Sequence, residues 1–66
     1  MRLTINGEAR TVQDARDIAG LIAALELDAR KVAVERNLEI VPRSAYRATP
    51  IVDGDRIEIV HFIGGG

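Results

Sequence analysis

The sequence predicts a two-layer α+β domain, with one helix packed on one face of a mixed four- to five-stranded sheet. Three observations carry this. Apolar and polar residues alternate with a period of two near the start, middle and end of the chain. A single stripe at helical spacing, Ile18, Leu21, Ile22 and Leu25, lies between them. Asn6-Gly7 and Asp53-Gly54-Asp55 mark tight turns.

Met1, Leu3 and Ile5 alternate with Arg2, Thr4 and Asn6, which reads as a strand with one buried face. Asn6-Gly7 supplies two residues tolerant of positive φ, as a type I′ hairpin turn requires. Residues 8–12 then return as a second strand, polar enough for an exposed edge. Asp17 is a candidate N-cap for the helix, since its carboxylate can accept from free backbone N–H groups; Asp14 competes for that role. Gly20 falls inside the helix at a cost of about 1 kcal/mol relative to alanine. Close approach of helix to sheet is the expected reason for it. No glycine stops the helix near residues 27–30, so its end is open.

Val32 and Val34 alternate with Ala33 and Glu35 in a third strand, Arg36-Asn37 turns, and residues 38–41 form a short fourth strand. Pro42 ends it, having no N–H to donate. Residues 43–50 read as a loop with a helical turn, and Tyr46 as a lid over the core edge. Asp53 and Asp55 read as solvated turn residues. The last strand spans residues 56–63. If Ile57 and Ile59 face the helix, Val60 and Phe62 stand on the open face, and a slip of one residue reverses this. Phe62 then has two readings, a docking residue beside the tail or a ring folded back over the core margin. Glu58 pairs with a basic partner surface or is simply solvated.

The 66 residues carry a net charge of −1 with both signs dispersed, which argues against a nucleic-acid-binding domain. There is no cysteine and the one histidine is His61. Disulfides, thiolate nucleophiles and cysteine-ligated metals are thereby excluded, and so is a histidine cluster. No stretch approaches the roughly 20 apolar residues that cross a membrane, and the first residues have no secretory signal core. The expected setting is cytoplasmic, with no metal and no bound cofactor.

Residues 1–63 read as the folded domain and residues 64–66, Gly64-Gly65-Gly66, as a flexible tail. Terminal glycines also occur as fraying ends or engineered scars. Here they follow the apolar end of a strand with no tag, cleavage site or spacer between. Glycine has no Cβ, so such a tail can thread a narrow channel. The chemistry it offers is the carboxylate of Gly66, a poor electrophile until activated.

Taken together, these features resemble ubiquitin-like β-grasp proteins, and specifically the thiamine-pathway sulfur carriers of the ThiS family. The resemblance rests on Asn6 at the first turn, Leu21-Ile22 in the helix, and Asn37-Leu38-Glu39-Ile40-Val41-Pro42-Arg43. Tyr46, Asp53-Gly54-Asp55-Arg56-Ile57-Glu58-Ile59 and the final glycines complete it. It covers essentially the whole chain. Asp17, where the family commonly has threonine, and Thr49-Pro50 depart from the pattern without touching the tail.

The resemblance implies that an E1-like adenylyltransferase uses ATP to convert the Gly66 carboxylate to an acyl-adenylate. A sulfur relay, typically drawing on a cysteine desulfurase, then makes a thiocarboxylate, and thiazole synthase takes that sulfur. Gly66 carries the chemistry, Gly64 and Gly65 give access, and Glu58, Val60, Phe62 and Ile63 form the expected docking patch. The chain itself is a protein co-substrate, not an enzyme. Two other readings stay open: a carrier or modifier of another pathway (molybdopterin, tRNA thiolation, cysteine synthesis), or a β-grasp binding module with no covalent role.

Overall fold

A computed structural model describes residues 1–62. Five strands form one sheet in the order β2-β1-β5-β3-β4. β1 (Arg2–Ile5) and β2 (Glu8–Thr11) are the opening hairpin, joined through Asn6 and Gly7, which have φ of 50° and 82°. Positive φ at both central residues matches the right-handed twist of the flanking strands. β5 (Arg56–His61) lies at the centre, parallel to β1 and antiparallel to β3 (Val32–Arg36). β4 (Glu39–Val41) closes the far edge against β3. The expected mixed sheet therefore has five strands among the described residues, with the chain's first and last strands side by side.

The helix α1 (Ile18–Ala24) packs on one face of this sheet. Asp17, not Asp14, is its N-cap: its Oδ1 accepts from the Gly20 N–H at 2.7 Å. Ile18, Leu21 and Ile22 are buried against Leu3, Ile5, Val34, Ile57 and Ile59 of the sheet. The periodic strands place these side chains on one side only, which is why a thin layer suffices for a core.

The helix end that the sequence left open is a Schellman motif. Glu26 takes φ of 60°, its N–H donates to the Ala23 carbonyl, and the Leu27 N–H donates to the Ile22 carbonyl, both at 3.0 Å. These bonds satisfy the last helical carbonyls. A glycine is the usual residue at such a position, and its absence hid the boundary.

Gly20 corrects a second expectation. A Cβ there would sit 3.3 Å from Asp17 Oδ1 and 3.6 Å from the Ala15 Cα, not against the sheet. The glycine makes room for the cap. Tyr46 is a buried core residue more than a lid, and its hydroxyl donates to the Val32 carbonyl at 3.3 Å. Arg36 belongs to β3, so the tight turn falls on Asn37 and Leu38, with φ of 51° and 72°.

The reading of Asp55 as a solvated turn residue is overturned. Asp55 is only 4% exposed. Its carboxylate accepts from Arg36 Nε at 2.8 Å, Asn37 Nδ2 at 3.0 Å and the Val52 N–H at 2.9 Å. A buried carboxylate is tolerated when its lone pairs are filled in this way. Asp53 does stay exposed, but its Oδ1 accepts from the Arg2 N–H at 2.6 Å and so ties the turn to β1.

Candidate functional site

The register of β5 decides which residues the sheet offers to a partner. Ile57 pairs with Ile5 and Ile59 with Val34, and all four are buried beneath α1. Alternation then sends Glu58 and Val60 to the opposite face. Val60 is 61% exposed and Phe62, just beyond the strand, 57% exposed. Phe62 is thus not folded into the core. Its N–H donates to the Lys31 carbonyl at 2.9 Å, which holds the backbone beside β3. Ile40 of β4 lies on the same open face and is 79% exposed.

The sequence-predicted docking residues Glu58, Val60 and Phe62 are therefore gathered on one open surface, with Ile40 added by topology. Ile40 was not singled out from sequence. Its signal was available in the pairing of Glu35 with Ile40, but that pairing needs the β3–β4 register. Ile63, Gly64, Gly65 and Gly66 lie outside the described residues.

Backbone position at the end of β5 is set by an unexpected side chain. Asn6 Nδ2 donates to the Ile59 carbonyl at 3.1 Å, and the Ile59 N–H donates to Asn6 Oδ1 at 2.8 Å. Beyond the last β1–β5 register pair, Ile5 with Ile57, this amide acts as one further residue of β1. It extends the support of β5 towards the tail.

Next to it, a cleft of about 420 Å³ opens between the end of α1 and the sheet, with Asn6, Arg10, Leu25, Glu26, Ile59 and His61 among its lining. No serine, threonine or cysteine lines it. His61 has no nucleophile beside it there, so this constellation cannot run acyl transfer by itself. No group of three or more metal-ligating side chains occurs among the described residues. No described helix is long and apolar enough to cross a membrane.

At Asp55, burial pushes the carboxyl up, but hydrogen bonds from Val52, Asn37 and Arg36, with the Arg36 charge, outweigh it. The net result is a carboxyl held below the usual carboxylate range. This ion pair is structural: it fixes the β3–β4 turn against the turn that launches β5.

A central β5 running between β1 and β3, one helix on a single face and an apolar open face define a ubiquitin-like β-grasp domain. The chain belongs to the ThiS family, whose sequence profile matches residues 3–66. The sulfur carrier protein ThiS of Bacillus subtilis is 42% identical over 65 residues, covering 97% of this chain and 98% of that protein. The crystal structure of the thiamine biosynthesis protein (ThiS) from Geobacter metallireducens superposes with a TM-score of 0.84 at 42% identity, covering 100% of both chains. A thiazole synthase of Paramagnetospirillum magneticum is 54% identical over 66 residues, and one of Magnetococcus marinus 42% identical over 66 residues. The chain spans 20% of the length of each of these two synthases.

Proposed function

We propose that this chain is a sulfur carrier of thiamine biosynthesis, acting through Gly66. The observation that carries the reading is the end-to-end similarity to the Bacillus sulfur carrier, over 97% of this chain and 98% of that protein. The family match runs to residue 66 and so includes all three glycines. No observation favours a carrier of another pathway or a module without covalent chemistry.

In this reading the Gly66 carboxylate attacks the α-phosphorus of ATP in an E1-like adenylyltransferase, and pyrophosphate leaves. The mixed anhydride converts a poor leaving group into a good one, which splits one hard substitution into two easier steps. A persulfide on a relay protein fed from a cysteine desulfurase then attacks the acyl carbon and displaces AMP. A thiol next attacks the relay sulfur of the resulting acyl disulfide, forming a disulfide with the relay and releasing the thiocarboxylate. Gly64 and Gly65 let the backbone enter a narrow ATP site without side-chain clashes. The domain supplies no base, nucleophile or metal to these steps. Its part is to hold β5 rigidly, so that the tail starts from a fixed point, and to present Val60, Phe62 and Glu58 for docking. ATP is bound by the partner, not by this chain.

Thiazole synthase is the proposed acceptor of the sulfur. The support is that two thiazole synthases each contain a stretch that aligns with the whole of this chain. Partners that must meet repeatedly benefit from tethering, because linkage raises their effective concentration.

The first step is tested by ATP–pyrophosphate exchange with the adenylyltransferase of the same organism. The chain is expected to make exchange occur, and a variant lacking Gly66 is expected not to. Absence of exchange with the chain, on an enzyme that responds to another carrier, would remove the reading.

A further inference from the structure

Asn6-Gly7 leaves an asparagine side chain open to attack by its own backbone. Gly7 has no Cβ to block the approach of its nitrogen to the Asn6 Cγ. Both residues are exposed, and nothing lies within 4 Å of where a Gly7 Cβ would stand, so a small ring has room to close there. The chain's other asparagine, Asn37, is also exposed but precedes Leu38, whose side chain crowds the same approach. The structure adds a restraint at Asn6 that the sequence does not show. Nδ2 donates to the Ile59 carbonyl at 3.1 Å, and Oδ1 accepts from the Ile59 N–H at 2.8 Å. With both polar atoms engaged, the side chain is held across to β5. It must let go before Cγ can swing onto the Gly7 nitrogen.

We infer that Asn6 is a site of spontaneous deamidation, gated by its two bonds to Ile59, and that its conversion uncouples the end of β5 from β1. The Gly7 nitrogen gives up its proton and bonds to Cγ. The Cγ–Nδ2 bond breaks, Nδ2 takes up a proton and leaves as ammonia, and a succinimide remains. Water then opens the ring at the side-chain carbonyl, giving aspartate, or at the main-chain carbonyl, giving isoaspartate. One water enters for each ammonia lost, and nothing is oxidised or reduced. Aspartate still accepts from the Ile59 N–H but has no donor for the Ile59 carbonyl, and it sets a carboxylate oxygen against that carbonyl. A carbonyl that loses its donor in this way costs stability. Isoaspartate routes the main chain through the side-chain methylene. That lengthens the tight turn in which φ of 50° and 82° set the register of Ile5 with Glu8. Beyond the Ile5–Ile57 pair, β1 offers β5 no further register partner among the described residues, so no strand pairing replaces the lost amide.

The test needs only the chain itself and is independent of the carrier reading. The chain is incubated at mildly alkaline pH, folded and in urea, and peptide mapping follows conversion at both asparagines. Fragment ions place isoaspartate at residue 6, because Asp53-Gly54 can isomerise with no change of mass. In urea, Asn6 should convert at least about tenfold faster than Asn37, since glycine alone leaves the attacking nitrogen unhindered. In the folded chain, conversion of Asn6 should be at least about tenfold slower than in urea, because only locally opened molecules react. Isoaspartate should be among the products, as ring opening requires. Asn6→Asp, and folded chain purified after conversion, should each melt about 4 °C or more below the parent at neutral pH, the effect of one lost hydrogen bond in a domain this small. Conversion of Asn6 in urea no faster than of Asn37, or aspartate with no isoaspartate, overturns the assignment of the site. Equal rates in the folded chain and in urea overturn the gate. A parent-like melting temperature in both Asn6→Asp and the converted chain overturns the uncoupling. The rate measurements are made on the parent chain, so they decide the first two points even where Asn6→Asp does not fold.

Discussion

Arg36 and Asp55, 19 residues apart, form the most buried ion pair among the described residues, with Nε to Oδ2 at 2.8 Å. The carboxylate side chain is 5% exposed and the guanidinium 29%. Asn37 adds a further donor to Asp55, while its own Oδ1 accepts from the Arg56 N–H at 2.9 Å. Arg36, the last residue of β3, and Asn37, in the turn that follows it, thus clamp the start of β5. The strand that delivers the tail is fixed at its beginning by this cluster and further along by the Asn6 amide.

Removing the carboxylate should be costly. Asp55→Ala leaves Arg36, Asn37 and the Val52 N–H without their common acceptor. The expected loss is about 2–3 kcal/mol, measured by urea unfolding, since groups that lose a charged hydrogen-bond partner on burial cost this much. That is a large part of the stability available to a domain of this size. A loss below about 0.5 kcal/mol would show that the cluster is not a clamp.

The same residue gives a pH dependence. Its carboxyl is held below the usual range in the folded chain. The charged form therefore stabilises the fold fully above the ordinary carboxylate pKa of about 4, and this contribution is lost as pH falls through the lower folded value. Unfolding free energy should be flat in this term from neutral pH to about pH 5 and fall below about pH 4. Asp55→Asn should be less stable at neutral pH and show a shallower fall in acid, as read from urea midpoints at each pH.

The β3–β4 turn can be improved. Leu38 has φ of 72° and is 78% exposed, so its side chain pays the left-handed conformation without much burial. Leu38→Gly should raise stability by about 1 kcal/mol, the usual penalty for an L-residue in that region. A decrease in melting temperature would mean that Leu38 makes packing contacts worth more than the strain.

Docking and folding should separate at the end of β5. Val60 and Phe62 are more than half exposed, so Val60→Asp and Phe62→Asp should keep the circular dichroism spectrum and lie within about 1 kcal/mol of the parent. Binding to the activating enzyme should weaken by tenfold or more in round terms, as for the loss of an aromatic anchor (about 1.4 kcal/mol per tenfold). Unfolded Phe62→Asp would place the ring in the core instead.

Most of the fold was legible because burial here follows simple periods. The Ile18, Leu21 and Ile22 stripe and the Ile57, Ile59 alternation each commit one face to the core, and a slip in either would expose several isoleucines at once. Asn6-Gly7 and Asp53-Gly54 announced their turns through residues that tolerate positive φ. What the pattern could not show were positions where a residue acts against its type. Glu26 ends a helix without being glycine, Leu38 sits in a turn without being asparagine or glycine, and Asp55 is buried although aspartates beside a turn glycine are usually solvated. For Asp55 the deciding partners, Arg36 and Asn37, lie 19 and 18 residues away, outside any local window. The open face was half legible: Val60 and Phe62 followed from alternation, whereas Ile40 required the order of strands in space.

The central claim concerns Gly66, and intact mass spectrometry tests it most directly. The chain is co-expressed with the adenylyltransferase of the same organism and a sulfur source, then its mass is measured before and after alkylation. Replacing one carboxylate oxygen by sulfur adds about 16 Da, the same nominal increment as oxidation of Met1, so fragment ions must place it. The account predicts an increment located at Gly66 that an alkylating reagent captures. An unmodified Gly66, with the enzyme active on another carrier in the same cells, would contradict it.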